Sequence, residues 1–315
     1  MKPFIIALTV SFVFMSTPAH AYWIWTPKTG KFVNPKAEVK STPQGQFEFA
    51  KRLLDAKSYE EAKKEFKKLI KNYPKAVEAA EAQYYLGVID EAQGNLYEAF
   101  LAYQKVIDKY PFSERIGEIN EHEFKIGEEF MSGSKRKAFG MALPVDHPSI
   151  EIFTKVIENS AYGPLAPKAQ YKLGLVYKSQ QRYYEAEEAF NKVVTSYPDS
   201  EWAGPAKFQL AVTRASVSKS PAYDQGATRE AKQKFEEFVI DHPDAVLTQE
   251  AEKHIRVLSE KEAESSYSAG LFYEKQKSWE AARIYYQDVI DNNPDSVWAA
   301  KSAARLAVIE RQRKK

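Results

Sequence analysis

The sequence contains no cysteine, which excludes several kinds of chemistry. Without thiols the chain forms no disulfide bonds, has no thiol nucleophile and offers no cysteine ligand to a metal. No residue of this sequence can carry a lipid through a thioether bond. The chain therefore tolerates an oxidising compartment, and any hold that these residues have on a membrane needs another explanation.

Glycine, proline and an excess of either charge are also scarce. The 315 residues include 13 glycines and 16 prolines, and 45 basic residues nearly balance 43 acidic ones. The net charge of +2 leaves no basic excess of the kind that binds nucleic acid. Alanine, glutamate, lysine, tyrosine and phenylalanine are frequent instead, which favours helices with aromatic packing between them.

Motifs for catalysis and for cofactor or metal binding are missing as well. No two histidines have a metal-ligand spacing, and neither a glycine-rich phosphate loop nor a G-x-S-x-G motif occurs. The carboxylates lie among lysines at helical spacing, as in Glu60-Glu61 followed by Lys63-Lys64, which is typical of a solvated helix face. We expect a protein that is not an enzyme and that needs neither a cofactor nor a metal.

The first 21 residues have the pattern of a secretory signal peptide. Met1-Lys2 supplies a positive start, Phe4 to Met15 is an apolar run of 12 residues, and Ala19-His20-Ala21 is a cleavage signal. The alternative is an uncleaved membrane anchor, but a spanning helix needs roughly 20 apolar residues. The sequence predicts residues 1–21 as a signal peptide and therefore export.

A repeated pattern of two helices follows, and its clearest copy runs from Lys168 to Pro198. Gly174 in the first helix and Ala186 in the second are small residues at the predicted crossing point, where only a small side chain lets two helix backbones approach. Phe190 fills the layer between neighbours, and Pro198 ends the second helix. This is the pattern of the 34-residue tetratricopeptide repeat.

The same frame fits several further stretches, two of which are interrupted by inserts. We predict an all-α, tetratricopeptide-type helix-pair solenoid of five to six pairs, closed by a helix from Ser296 to Arg313. Ser58 with Glu61, and Asn95 with Glu98, have capping-box spacing at starts of second helices. The predicted domains are an extended segment at 22–43, an N-terminal lobe at 44–165 and a C-terminal lobe at 166–315.

Two local features remain open to more than one interpretation. Tyr22, Trp23 and Trp25 follow the predicted cleavage site. Such aromatic residues enter a membrane interface, pack on the first helix pair or on a partner, or remain beside the signal peptide without a role. The cluster at Lys135-Arg136-Lys137 either contacts an acidic partner or phospholipid headgroups, or is an exposed loop.

The C-terminal motifs resemble those of the BamD family of outer-membrane-protein assembly factors. They comprise Ala269 to Tyr273, Trp279 to Ala282 and the close at Asn293 to Ser296, and the resemblance extends from Gln44 to Arg313. It implies five helix pairs with interruptions in the third and fourth. It also implies a non-enzymatic periplasmic scaffold at the inner face of the outer membrane. That scaffold would bind unfolded barrel segments, the periplasmic domains of the barrel insertase and other subunits of the assembly complex.

Members of this family usually carry a lipid on a cysteine at the mature start, and this sequence has no such lipobox cysteine. Its membrane association would then be peripheral. An alternative function is a periplasmic coordinator of Tol–Pal envelope constriction or cell-wall machinery, but such proteins usually carry an N-terminal coiled coil, and no heptads precede Gln44.

The helix-pair frame alone predicts which residues line a groove for peptides or partners, since the first helix of each pair faces that groove. The predicted groove positions are Phe47, Lys51, Tyr84, Val88, Glu91, Tyr171, Leu175 and Lys178.

Overall fold

A computed structural model describes residues 24–26, 30–33, 39–133, 137–138, 141–142, 147–217 and 225–313. The predicted signal peptide, Tyr22, Trp23 and the Lys135-Arg136 part of the basic cluster lie outside the described residues.

Helices make up most of the described chain. The thirteen described helices are α1 (Pro43–Asp55), α2 (Tyr59–Asn72), α3 (Val77–Ala92), α4 (Leu96–Lys109), α5 (Ile116–Met131), α6 (Pro148–Asn159), α7 (Ala166–Ser179), α8 (Tyr183–Ser196), α9 (Ala203–Val217), α10 (Gln225–Asp241), α11 (Thr248–Lys275), α12 (Trp279–Asn292) and α13 (Val297–Arg313). In the part of the chain that the structure describes, no helix is long and apolar enough to cross a membrane.

Two very short antiparallel hairpins accompany the helices. The strands β1 (Ile24–Thr26) and β2 (Lys31–Val33) precede α1, and β3 (Lys137–Ala138) and β4 (Met141–Ala142) lie between α5 and α6. Neither hairpin joins a larger sheet among the described residues, so the all-α fold class is confirmed.

The helices follow one another as six pairs, α1–α2 to α11–α12, and α13 comes last. This arrangement confirms the predicted tetratricopeptide-type array with its closing helix. The first interruption lies in the third pair, where β3 and β4 separate α5 from α6. The second separates α9 from α10, so it lies in the fifth pair, and the expectation of an interrupted fourth pair was wrong. The fourth pair, α7–α8, is the uninterrupted copy between them.

The chain divides into two compact units, Met1–Ala82 and Gln83–Lys315. The first unit contains β1, β2, α1, α2 and the start of α3, and the second contains everything that follows. The predicted lobe boundary between residues 165 and 166 lies within the second unit, between α6 and α7, and these two helices pack against each other.

Small residues at the crossing points let the two helices of a pair approach closely. A methyl group added to Gly174 would lie 2.6 Å from the ring of Phe190, far inside van der Waals contact. Gly87, Gly127 and Gly270 meet an aromatic ring of their own second helix in the same way, at 2.4 to 2.7 Å. The second helices contribute fully buried alanines, namely Ala62, Ala99, Ala186, Ala231 and Ala282.

The turns inside the pairs differ from the predicted capping boxes. Ser58 and Asn95 do precede second helices, but neither side chain makes a capping hydrogen bond. A capping residue needs an extended backbone, as Thr42 has at ψ 148°, where its hydroxyl accepts from the Gly45 N–H. Ser58 and Asn95 have ψ near 60° instead, because their N–H groups donate back to the preceding helix, at Leu53 and Asp90.

Helix α11 is the longest described element, with 28 residues, and it packs against both α10 and α12. The repeat pattern identified only its end, around Ala269 and Gly270. No glycine or proline lies between Thr248 and Ala269, and the intervening sequence is rich in alanine, glutamate and lysine. Nothing in the local sequence therefore ends the helix earlier.

Candidate partner-binding face

A polar contact with one repeated spacing joins α3 to α5, α7 to α9, and α11 to the closing helix α13 in the second unit. Glu91 lies 2.8 Å from Nδ1 of His122, Lys178 Nζ donates to Gln209 at 2.5 Å, and Arg305 donates to Glu274. In each case the two residues are 31 positions apart. We call the surface formed by α3, α5, α7, α9, α11 and α13 within residues 83–315 the first-helix face.

An aromatic residue recurs on each of the six first helices, three positions before the small residue at the crossing. Each ring packs on an aromatic ring of its own second helix, with ring centroids 5.5 to 5.9 Å apart. The six first-helix residues are Phe47, Tyr84, Phe124, Tyr171, Phe208 and Tyr267.

Sequence reasoning placed three of these aromatic residues in the groove and missed the other three. Phe124, Phe208 and Tyr267 have the same spacing from Gly127, Ala211 and Gly270 as Tyr171 has from Gly174. This spacing from the crossing residue is the signal in the sequence that could have located them.

Tyr84 lies beneath the first-helix face rather than on its surface, since only 4% of it is exposed. Its hydroxyl donates to Glu118 at 2.6 Å, and the guanidinium of Arg115 covers its ring at 4.9 Å. Burial and the neighbouring Glu118 carboxylate raise the pKa of Tyr84. This residue therefore supports the face, and Arg115, Glu118 and His122 form the surface above it.

Glu91 is held in a small polar cluster with His122 and Tyr103. The Tyr103 hydroxyl donates at 2.8 Å to Oε2 of Glu91, the same oxygen that contacts His122. Burial opposes ionisation of Glu91, but the hydrogen bonds from His122 and Tyr103 outweigh it and lower its pKa. Glu91 is therefore an anchored carboxylate on the first-helix face.

Tyr171 and Lys178 lie together on α7. The Tyr171 ring is half-buried between Phe190 and Trp202, with centroids at 5.7 and 5.1 Å. Burial lowers the pKa of Lys178, whose ammonium donates to Gln209. Leu175, on the same helix, is partly buried against the cluster around Phe190.

The other predicted groove positions are divided between the two units. Val88 is partly buried against the aromatic cluster around Tyr103 in the second unit. Phe47 and Lys51 belong to the first unit, where Phe47 packs on Phe66 and Lys51 pairs with Asp55 at 2.5 Å. Groove binding by these eight residues stays a prediction.

A cavity of about 400 Å³ opens between α5 and the start of α7, and sequence reasoning did not identify it. Phe124, Pro164 and Leu165 form its apolar wall, and charges of both signs come from Lys125, Lys168, Glu121 and Glu128. The ammonium of Lys168 lies 4.6 Å from the centre of the Phe124 ring. An apolar wall beside charges of both signs suits a segment that carries both apolar and polar groups.

One buried carboxyl breaks a repeated pattern of amides. Gln46, Gln83 and Gln170 each donate to a second-helix carbonyl 19 residues later. In the third pair Glu123 occupies the same position, four residues before the crossing glycine, and is fully buried. It accepts hydrogen bonds from Gln104 at 2.8 Å and Asn159 at 3.1 Å, yet burial raises its pKa to about 8.

Trp25 is the one residue of the predicted membrane-contact set that the structure describes, and it lies in β1 with half of its surface exposed. Among the described residues, no group of three or more histidine or acidic side chains is arranged to hold a metal ion.

Two family models match the chain. One, YfiO, described as an outer membrane lipoprotein, matches residues 149–314, which is more than half of the sequence. The other is a tetratricopeptide repeat model that matches residues 47–114. No curated protein matches the chain.

Several solved structures are similar in fold. The C-terminal part of a tetratricopeptide repeat-containing protein from Cytophaga hutchinsonii is 18% identical, with 83% of this chain and 87% of that chain covered and a TM-score of 0.38. A tetratricopeptide repeat protein from Parabacteroides merdae is 16% identical, with 85% and 98% covered and a TM-score of 0.36.

Proposed function

The chain belongs to the YfiO family of outer membrane lipoproteins, and from this premise we propose that it is a non-enzymatic periplasmic scaffold for the assembly of β-barrel proteins into the outer membrane. It binds unfolded segments of its clients and the periplasmic domains of the barrel insertase. The observation that carries the proposal is the family match over residues 149–314, combined with a tetratricopeptide array whose first-helix face carries fixed polar contacts.

The first-helix face has the chemistry expected for client segments. A segment of an outer-membrane barrel alternates apolar and polar side chains, because one face of each strand meets lipid and the other meets the lumen. The cavity beside Phe124 offers an apolar wall, and Lys125 and Lys168 lie next to it. Glu91 and Lys178 add fixed charges of both signs farther along the same face.

The last helix pair has the exposed apolar surface expected for docking on a folded partner. Phe272 in α11 is 57% exposed and Ile284 in α12 is 58% exposed, and both lie in the region that the family model matches. Such side chains are available for contact with a protein partner, and the family match over this region is the reason for choosing them. We assign insertase docking to this pair and client binding to the cavity.

Client binding is tested by placing a photo-crosslinking residue at Lys125, on the rim of the cavity, in living cells. We expect it to capture precursors of outer-membrane barrel proteins. The matched control is the same residue at Lys192, an exposed lysine on the second helix α8. Equal capture at both positions, or none at Lys125, would contradict the assignment of the cavity.

Insertase docking is tested by affinity capture of the whole chain from native envelopes. The barrel insertase should co-purify with the wild type and should be depleted by Phe272→Ser. The control is Tyr184→Ser on α8, which changes a side chain that is 78% exposed. Recovery of Tol–Pal or cell-wall proteins in place of the insertase would support the alternative function and overturn this one.

A further inference from the structure

The hairpin of β1 and β2 brings together two large aromatic side chains that the helix-pair array does not use. Trp25 and Phe32 are directly opposed across the two strands. Directly opposed residues of an antiparallel pair point to the same face, so the two rings lie side by side. They remain 52% and 66% exposed.

The sequence around this aromatic pair is basic. Between Tyr22 and Lys40 there are four lysines and a single glutamate, whereas the whole chain is nearly neutral. Aromatic rings favour the headgroup region of a bilayer, and clustered lysines are attracted to anionic headgroups. Charge and ring chemistry therefore point to the same kind of surface.

The hairpin is tied to the first helix pair by a short stretch of chain. The Lys40 N–H donates to Gln46 at 2.9 Å, and its carbonyl accepts from the Tyr73 hydroxyl at 2.6 Å, so this residue is fixed against α1 and α2. Six residues lie between Val33 and Lys40, and the seven steps from one to the other span at most about 25 Å. A surface that the hairpin binds therefore lies near the first helix pair.

We propose that the opposed Trp25–Phe32 pair, which lies in a lysine-rich segment of the sequence, is a peripheral attachment site for a bilayer surface that carries anionic phospholipid headgroups. The YfiO family is described as a lipoprotein family, and this sequence has no cysteine to receive a thioether-linked lipid. An interfacial aromatic pair with a basic flank supplies membrane contact by a different route.

Vesicle flotation of the whole chain, in the form that cells produce after processing, tests this proposal. We expect the chain to float with phosphatidylethanolamine vesicles that contain phosphatidylglycerol, and to float less without phosphatidylglycerol or at high salt. Trp25→Ser combined with Phe32→Ser should lower binding roughly tenfold, because two interfacial aromatic rings are lost. Trp25→Phe should retain binding but lose part of the tryptophan quenching by brominated lipid.

The matched control is Phe112→Ser combined with Tyr162→Ser, in the turns before α5 and α7. These two rings are more exposed than Trp25 and Phe32, and they lie in two separate turns. Vesicle binding should be unchanged in this control. Unchanged binding in the hairpin variant, equal losses in both variants, or attachment only to vesicles that contain a protein partner would each overturn the proposal. None of these results depends on whether barrel segments or the insertase are bound.

Discussion

The third and fourth helix pairs share one backbone plan but differ in what they bury. In the fourth pair, the position four residues before the crossing glycine holds Gln170, and the small residue of the second helix is Ala186. In the third pair the corresponding residues are Glu123 and Ser149, and both are fully buried. The same architecture therefore tolerates a polar, ionisable interior, but only where neighbouring side chains satisfy it.

The buried Glu123 carboxyl of the third pair affects the free energy of unfolding by an amount that depends on pH. Glu123 accepts from Gln104 and Asn159, while Lys155 favours its ionised form and Asp108 opposes it. Burial nevertheless dominates and raises the pKa of Glu123 to about 8. The fourth pair has a neutral amide at this position, so we expect the third pair to be the pH-sensitive member of the two.

Enlarging the crossing glycine should have the largest effect and should not distinguish the two pairs. Gly174→Leu and Gly127→Leu each drive a side chain into a ring that is already within 2.7 Å of the added carbon. We expect each to lower the free energy of unfolding by about 3 kcal/mol through overpacking. Urea denaturation measures this, and an unchanged midpoint for either variant would show that its crossing is looser than the structure indicates.

Exchanging the buried acid and amide should reverse the difference in pH sensitivity between the third and fourth pairs. The pKa of Glu123 is raised on folding, so its contribution to stability is fully present below pH 4.5 and is lost as the pH rises through 8. Glu123→Gln should remove this decline and gain about 2 kcal/mol at pH 8. Gln170→Glu should introduce the same decline in the fourth pair, because its hydrogen bond to Ala189 requires a donor.

Urea denaturation of the wild type and both variants between pH 4.5 and pH 8 measures the exchange. Parallel pH profiles for the wild type and Glu123→Gln would mean that Glu123 is ionised in the folded state at little cost.

Removing the buried hydroxyl of the third pair should have a smaller effect. The Ser149 hydroxyl donates to the Gly127 carbonyl at 2.8 Å and links the two helices where the other second helices have alanine. Ser149→Ala should therefore lower the free energy of unfolding by about 1 kcal/mol. Thermal unfolding checks this, with Ser132→Ala, whose exposed hydroxyl bonds only within α5 and its end, as the control. A more stable Ser149→Ala variant would show that the hydroxyl contact contributes no net stability.

The turns of the two pairs should respond in opposite directions and by amounts no larger than that of the Ser149 hydroxyl. Gln181 in the fourth pair has φ +59°, a left-handed conformation that glycine adopts without steric cost, whereas Gly133 in the third pair has φ +115°. Gln181→Gly should raise the free energy of unfolding by about 0.5 kcal/mol, and Gly133→Ala should lower it by about 1 kcal/mol. Urea denaturation checks both, and the same sign for both changes would contradict the turn geometry.

Much of the fold was predictable because its determinants are local and repeat at a fixed spacing. The positions of Gly174 and Ala186 and the stop at Pro198 identified a helix pair without knowledge of any distant contact. The long start of α11 was missed because continuation of a helix leaves no marker. The capping boxes failed because the preceding turn, and not the side chain, sets the backbone of Ser58 and Asn95.

The residues of the first-helix face were predictable only in part. Tyr171 and Lys178 do lie in the contacts between neighbouring first helices, but Tyr84 lies beneath them. The cavity beside Phe124 is assembled from α5 and a turn some forty residues later. No local pattern indicates how such segments meet.

The sequence alone determined the helix pairs, their small crossing residues and the closing helix, because helix formation and repeat packing depend on spacing within about 34 residues. Only the tertiary structure decided which of the first-helix residues support the face and which remain accessible. It also placed Glu123 in a buried amide position and Trp25 opposite Phe32, since burial and pairing arise from chain segments that meet in space.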